Sequence, residues 1–225
     1  SRYITLFSNE DIMSALTNTL LIAVISSLVA TLIGTIAALA ISKMRNVLRT
    51  TLMGVTNIPM LNAEIVTGIS LMLLFVTLGI RLGFTTMLIA HITFNIPYVI
   101  LSVMPRIRQL NASTYEAALD LGAAPLNAFI KVVLPDLAPG IFSGLLMAFT
   151  MSIDDFIISY FVTGSGVKNL SIMVYTMSKR VNPSINAVST LVVLIITVAL
   201  VIINVVPAIL AKRPKKAEMS KKKAV

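Results

Sequence analysis

From Ile12 to Ser42 the chain carries no charged side chain. No other feature limits the fold so strongly. Crossing the hydrocarbon of a bilayer takes about 20 apolar residues, and a helix that does so satisfies its own backbone. Within the run, Ser26, Ser27, Ala30, Gly34, Ala37 and Ala38 recur at spacings of three and four. Small residues at that period mark a helix face that packs closely in lipid. Composition extends the conclusion to the whole chain, which is 57% hydrophobic and 12% charged, with mean hydropathy +0.94. Soluble domains carry about 25% charged residues. The expected fold class is an all-α integral membrane bundle.

Four further spans complete the expected bundle. The second, Leu52 to Ile80, is interrupted by Asn57, Pro59, Asn62 and Glu64 and reads as one span distorted around Pro59. The third, Phe84 to Met104, carries His91, Asn95 and Pro97. The fourth runs from Leu137 to about Val162 and contains Asp154 and Asp155; Gly164-Ser165-Gly166 ends it. Leu170 to Met177 reads as a short helix along the outer surface. Asn182 and Pro183 then turn the chain into a fifth span, Ala187 to Leu210.

Charge sets the orientation. With five spans, one side receives thirteen Lys/Arg and the other five, and the richer side is cytoplasmic. Residues 1–14 are then an external N-terminal segment, 15–211 the transmembrane domain, and 212–225 a basic cytoplasmic tail. That tail holds seven Lys/Arg against Glu218; following a membrane span, it reads as an anchor to anionic lipid and not as a nucleic-acid site. With no cysteine, thiolate metal sites and disulfides are excluded. The twelve methionines read as ordinary membrane core. No Gly-x4-Gly-Lys-Ser/Thr loop is present, so energy comes from another chain or from an ion gradient.

Between the third and fourth spans lies the one long polar-tolerant stretch, residues 106–136, with the grammar of two short helices. Ser113 and Glu116 have the spacing of a capping box. Gly122 suits the left-handed residue that ends a helix. Pro125 fits the first turn of a second helix, and Pro135 reads as its stop. The first helix, about nine residues, is marginal alone in water. Ala117, Ala118, Ala123 and Ala124 would let another surface approach closely.

Three acids fall inside apolar spans: Glu64, Asp154 and Asp155. An ionised acid at the bilayer centre costs about 2.5–3.5 kcal/mol on insertion scales. Such groups face protein or water. Glu64 lies roughly 18 Å from the start of its span and Asp154 roughly 25 Å along its own, at 1.5 Å per residue. Either the acids line a path for a cationic solute, or they are structural, Asp154 and Asp155 pairing with Arg81 or Lys168. His91 reads as a packed, hydrogen-bonded histidine. Asn62 and Asn95 read as satisfying backbone groups at the two proline distortions.

Glu116-Ala117-Ala118, then Gly122, then Val132-Val133-Leu134-Pro135, resembles the cytoplasmic EAA loop of ABC importer permeases; Val132 stands where Ile is usual. His91 to Pro97, Met151-Ser152-Ile153-Asp154-Asp155 and Phe161-Val162-Thr163-Gly164 narrow the resemblance to the permease subunits of spermidine/putrescine importers. It covers about Tyr3 to Leu210. It implies a type I importer (MetI-like) helical bundle whose usual first span is missing here. It further implies that Glu116, Ala117, Ala118, Gly122, Leu134 and Pro135 couple to an ATPase, and that Glu64, Ser152, Asp154 and Asp155 line the polyamine path. Glu64 stands where Asp is usual.

The implied partners are a second permease subunit, a dimer of ATP-binding subunits and an extracellular polyamine-binding protein. ATP and Mg would sit in the ATPase, with no cofactor in this chain, which is not itself an enzyme. The implied location is the bacterial plasma membrane, multi-pass. A permease for another solute such as ferric iron, a proton-coupled secondary transporter, and a membrane scaffold remain the alternatives.

Overall fold

In a computed structural model, residues 10–164, 167, 169–178, 190–198 and 201 are described. All regular structure among them is helical. The chain divides into two compact units, 10–176 and the two terminal segments. The first contains the bundle; of the second, the described residues 190–198 are helical. Most of the expected fifth span, with Asn182 and Pro183, lies outside the described residues.

The bundle opens with α1, Glu10–Lys43, and continues with α2, Asn46–Leu61, and α3, Glu64–Thr77. Next come α4, Phe84–Gln109, and the short helices α5, Ala112–Asp120, and α6, Pro125–Ala128. A π-helical turn, Phe129–Val133, joins α6 to α7, Leu134–Asp154. Finally α8 spans Ile157–Val162 and α9 Leu170–Ser178. Among the described residues, Glu10–Lys43, Phe84–Gln109 and Pro125–Asp154 are long and apolar enough to cross a membrane.

The core forms where α1, α4 and α7 pack together. Small residues make this contact possible. A Cβ placed on Gly34 of α1 would lie 2.7 Å from Val99, and one on Gly140 of α7 would lie 2.8 Å from Arg106 Cγ. Ala38, Val99, Val103 and Ala148 fill one cluster of the core. A second gathers Ile22, Phe75, Met87, Phe94, Ile158 and Val162. Leu20, Leu28, Leu32 and Ile36 lie on the exposed side of α1. Apolar outside as well as inside, the helix has the pattern of a lipid-embedded element.

Three local readings are corrected. The second span is not one helix distorted around Pro59, because α2 runs through Pro59 and breaks at Asn62 and Ala63, both extended. Ser113 is not the cap of α5: Asn111 is, accepting the Ser113 N–H at 3.1 Å. An Asn two residues earlier takes a free N–H of the first turn, so the helix starts sooner. Nor does Pro135 stop a helix. The preceding π turn, in which Leu134 N–H reaches the Phe129 carbonyl, widens the coil where the proline ring would otherwise collide.

Candidate functional site

The adjacent acids at 154 and 155 have opposite environments. Asp154 is the last residue of α7 and exposed. Asp155 is extended, at φ −62° and ψ 122°, and buried. Its Oδ1 accepts the Ile158 N–H at 3.1 Å and its Oδ2 the Ser159 N–H at 2.8 Å. Asp155 thus satisfies two free donors at the start of α8. His91 Nε2 lies 3.5 Å from Asp155 Oδ2 and 3.4 Å from Ser159 Oγ. On the other side of the ring, His91 Nδ1 is 2.8 Å from the Met87 carbonyl, which only accepts, so Nδ1 carries a proton. The packed-histidine reading of His91 therefore holds. Its ring faces the Asp155 carboxylate, and no group of three potential metal ligands occurs among the described residues.

Ser152 sits deeper still. Its hydroxyl accepts from Asn95 Nδ2 at 2.7 Å and meets Ser26 Oγ at 2.9 Å, which ties α1, α4 and α7 at one point. Asn95 was expected to serve the backbone near Pro97; it bonds Ser152 instead. The reason is geometric, since α4 passes Pro97 without breaking and Asn95 faces α7. Ser152 and Asp155 are thus both in the bundle interior, while Asp154 faces away from it.

Glu64 is exposed and opens α3 at the break, where its charge complements the positive end of the helix. One turn further on, Gly68 meets α8 so closely that a Cβ would stand 3.0 Å from Phe161 and 3.4 Å from Ile158 Cα. Glu64 and Asp154 therefore precede the same helix–helix contact on its two strands of chain. Each stands at a chain break, and a break in an apolar span requires protein or a wet cavity around it. That signal was legible in the Pro and Asn near Glu64, but nothing in the sequence marked Asp154 as a helix terminus.

The 106–136 segment presents a different surface. Gly122 has φ +86°, and the bonds Ala123 N–H to Ala118 O (3.1 Å) and Gly122 N–H to Leu119 O (2.8 Å) form a Schellman end to α5. Ala128 is buried, and α5 packs on α6 and the π turn. Outward, Glu116, Ala117, Gly122 and Pro135 are exposed, as is Leu134, while Ala118 is half-buried. Beside them Leu121 is 89% exposed and Leu126 68% exposed. Sequence reasoning passed over these two leucines. Their signal was a large apolar residue at each end of a loop too polar to lie in lipid.

A family described as the binding-protein-dependent transport system inner membrane component matches residues 30–216. The chain belongs to this family: it is a membrane-embedded permease component. Its relatives narrow the comparison. It is 37% identical over 201 residues to the spermidine/putrescine transport system permease protein PotC of Escherichia coli K12, covering 89% of this chain and 76% of that one. The PotC homolog of Mycoplasma genitalium is 35% identical over 217 residues, 95% of this chain and 76% of the relative. The putrescine transport system permease protein PotI of Escherichia coli K12 is 37% identical over 198 residues, 84% and 70% of the two chains.

Proposed function

We propose that this chain forms part of the translocation path of an ATP-driven importer for polyamines such as spermidine and putrescine. The observation that carries the reading is the pair of exposed carboxylates, Glu64 and Asp154, at breaks in otherwise apolar spans. A polyamine carries ammonium groups a few methylenes apart and so suits separated anionic stations, not one deep charge. Each carboxylate replaces part of an ammonium hydration shell through charge-assisted hydrogen bonds. The names of the relatives point the same way.

The exposed surface of α5 and α6 is the coupling element in this reading. Glu116, Ala117 and Gly122, flanked by Leu121 and Leu126, dock into a separate ATP-binding subunit, which holds ATP and Mg. Apolar side chains this exposed on a water-facing loop call for a partner. A second permease subunit, a second ATP-binding subunit and an extracellular binding protein complete the importer. The loop and the basic C-terminal tail lie on the cytoplasmic side, as the Lys/Arg bias requires.

Glu64→Gln tests the path. It keeps the volume and removes the charge, so uptake efficiency for putrescine falls about ten- to a hundredfold, the loss of one charge-assisted contact. Copurification of the ATP-binding subunit stays at the wild-type level. Wild-type uptake by this variant would remove Glu64 from the path.

A further inference from the structure

Two residues past Asp154, at the α7–α8 break, begins a group of aromatic rings that the coupling loop does not use. Phe156 stacks obliquely on Tyr175, with centroids 4.7 Å apart, and on Tyr160 at 5.5 Å. Tyr160 meets Tyr175 edge-on at 6.2 Å and Phe161 at 5.6 Å. The rings come from three places in the chain: the α7–α8 break, α8 and α9. Ser171 Oγ reaches the Ile153 carbonyl at 3.4 Å, and Asn169 Nδ2 reaches the Asp155 carbonyl at the same distance. These bonds hold α9 against the break.

The cluster is not core. Tyr160 is 51% exposed and Tyr175 39%. Asp155 points inward to His91 and Ser159. The residues on either side of it do not share that burial: Asp154 is exposed and Phe156 half-buried. The bonds from α9 to the Ile153 and Asp155 carbonyls bring Tyr175's helix to the same stretch of chain. A carboxylate does not face hydrocarbon without a partner, so Asp154 faces water or protein.

We propose that Phe156, Tyr160 and Tyr175 form, with Asp154, a subsite for an alkylammonium group. The carboxylate supplies the charge-assisted hydrogen bond, and the ring faces, electron-rich at their centres, take the remaining N–H and N–CH2 edges. The subsite selects a primary or secondary ammonium on a flexible chain. A metal cation of equal charge would gain little from the rings compared with the water it sheds. This rests on the polyamine reading and adds aromatic side chains as determinants of specificity.

A tyrosine belt at the membrane surface is the competing role for such rings, and a fluorination series separates the two. Tyr160 is replaced by phenylalanine and by its 4-fluoro, 3,5-difluoro and 3,4,5-trifluoro analogues, in the complete importer in proteoliposomes. Fluorine withdraws charge from the ring face with little change of volume. Uptake of putrescine, measured with saturating loaded binding protein, falls stepwise along the series, reaching about five- to thirtyfold at the trifluoro analogue relative to Tyr160→Phe. Copurification of the ATP-binding subunit stays constant. A flat series with normal wild-type uptake overturns the subsite and leaves the polyamine reading standing. A wild-type importer that carries no polyamine at all overturns both.

Discussion

Gly122→Asp abolishes ATP-driven uptake while the chain still inserts into the membrane. Two effects combine. The residue has φ +86°, a conformation that costs a residue with a Cβ about 1–2 kcal/mol. No atom lies within 4 Å of a Cβ built there, so the bundle itself meets no collision and folds. The second effect falls on the outer surface, where a new carboxylate beside the exposed Leu121 must be desolvated when a partner docks. Together these lower docking by about 3 kcal/mol or more, and uptake by about a hundredfold or more. Gly122→Asn separates the terms, since Asn and Asp enter the left-handed region at similar cost and Asn adds no charge. It retains substantial uptake. Insertion is followed by protease protection of the membrane fraction, and docking by copurification of the ATP-binding subunit. Full activity in the Asp variant would detach this loop from coupling.

Asp155→Ala has the other large effect, and a different one. The substitution leaves the Ile158 and Ser159 N–H groups without their acceptor and takes away the carboxylate beside His91. A buried group left unsatisfied costs about 1–3 kcal/mol, so two together remove a large part of the roughly 5–15 kcal/mol that keeps a domain folded. We expect little folded protein in detergent, read as early aggregation on thermal challenge. Asp154→Asn, at an exposed position one residue away, leaves folding and subunit assembly intact and lowers polyamine uptake about ten- to a hundredfold. Equal behaviour of the two variants, in either assay, would contradict the division of labour at the break.

The residues explain how much of this was legible beforehand. The charge-free run, the small-residue period of α1, the nine-residue helix α5 and its end at Gly122 all follow from local rules, and the structure agrees with each. Helix breaks were less legible. Pro59 signalled the interruption of the second span, but the backbone departs from helix three residues later, at Asn62, because a proline near a helix end leaves the following turn free to form. The two aspartates looked equivalent because sequence cannot say that the chain turns extended between them. That one backbone state sends Asp155 to His91 and Asp154 outward. Asn95 and Ser152 were likewise unpaired in sequence, being 57 residues apart. Only the packing of α4 on α7 brings them together.

The central claim is that this chain carries a polyamine at the expense of ATP hydrolysed on another subunit. The direct measurement is uptake of labelled putrescine into proteoliposomes holding the chain, its partner permease and the ATP-binding subunits, with loaded binding protein on the binding-protein side. The account predicts accumulation that requires ATP on the ATPase side and persists in the presence of an uncoupler. Accumulation that collapses with the uncoupler yet survives removal of ATP would contradict it.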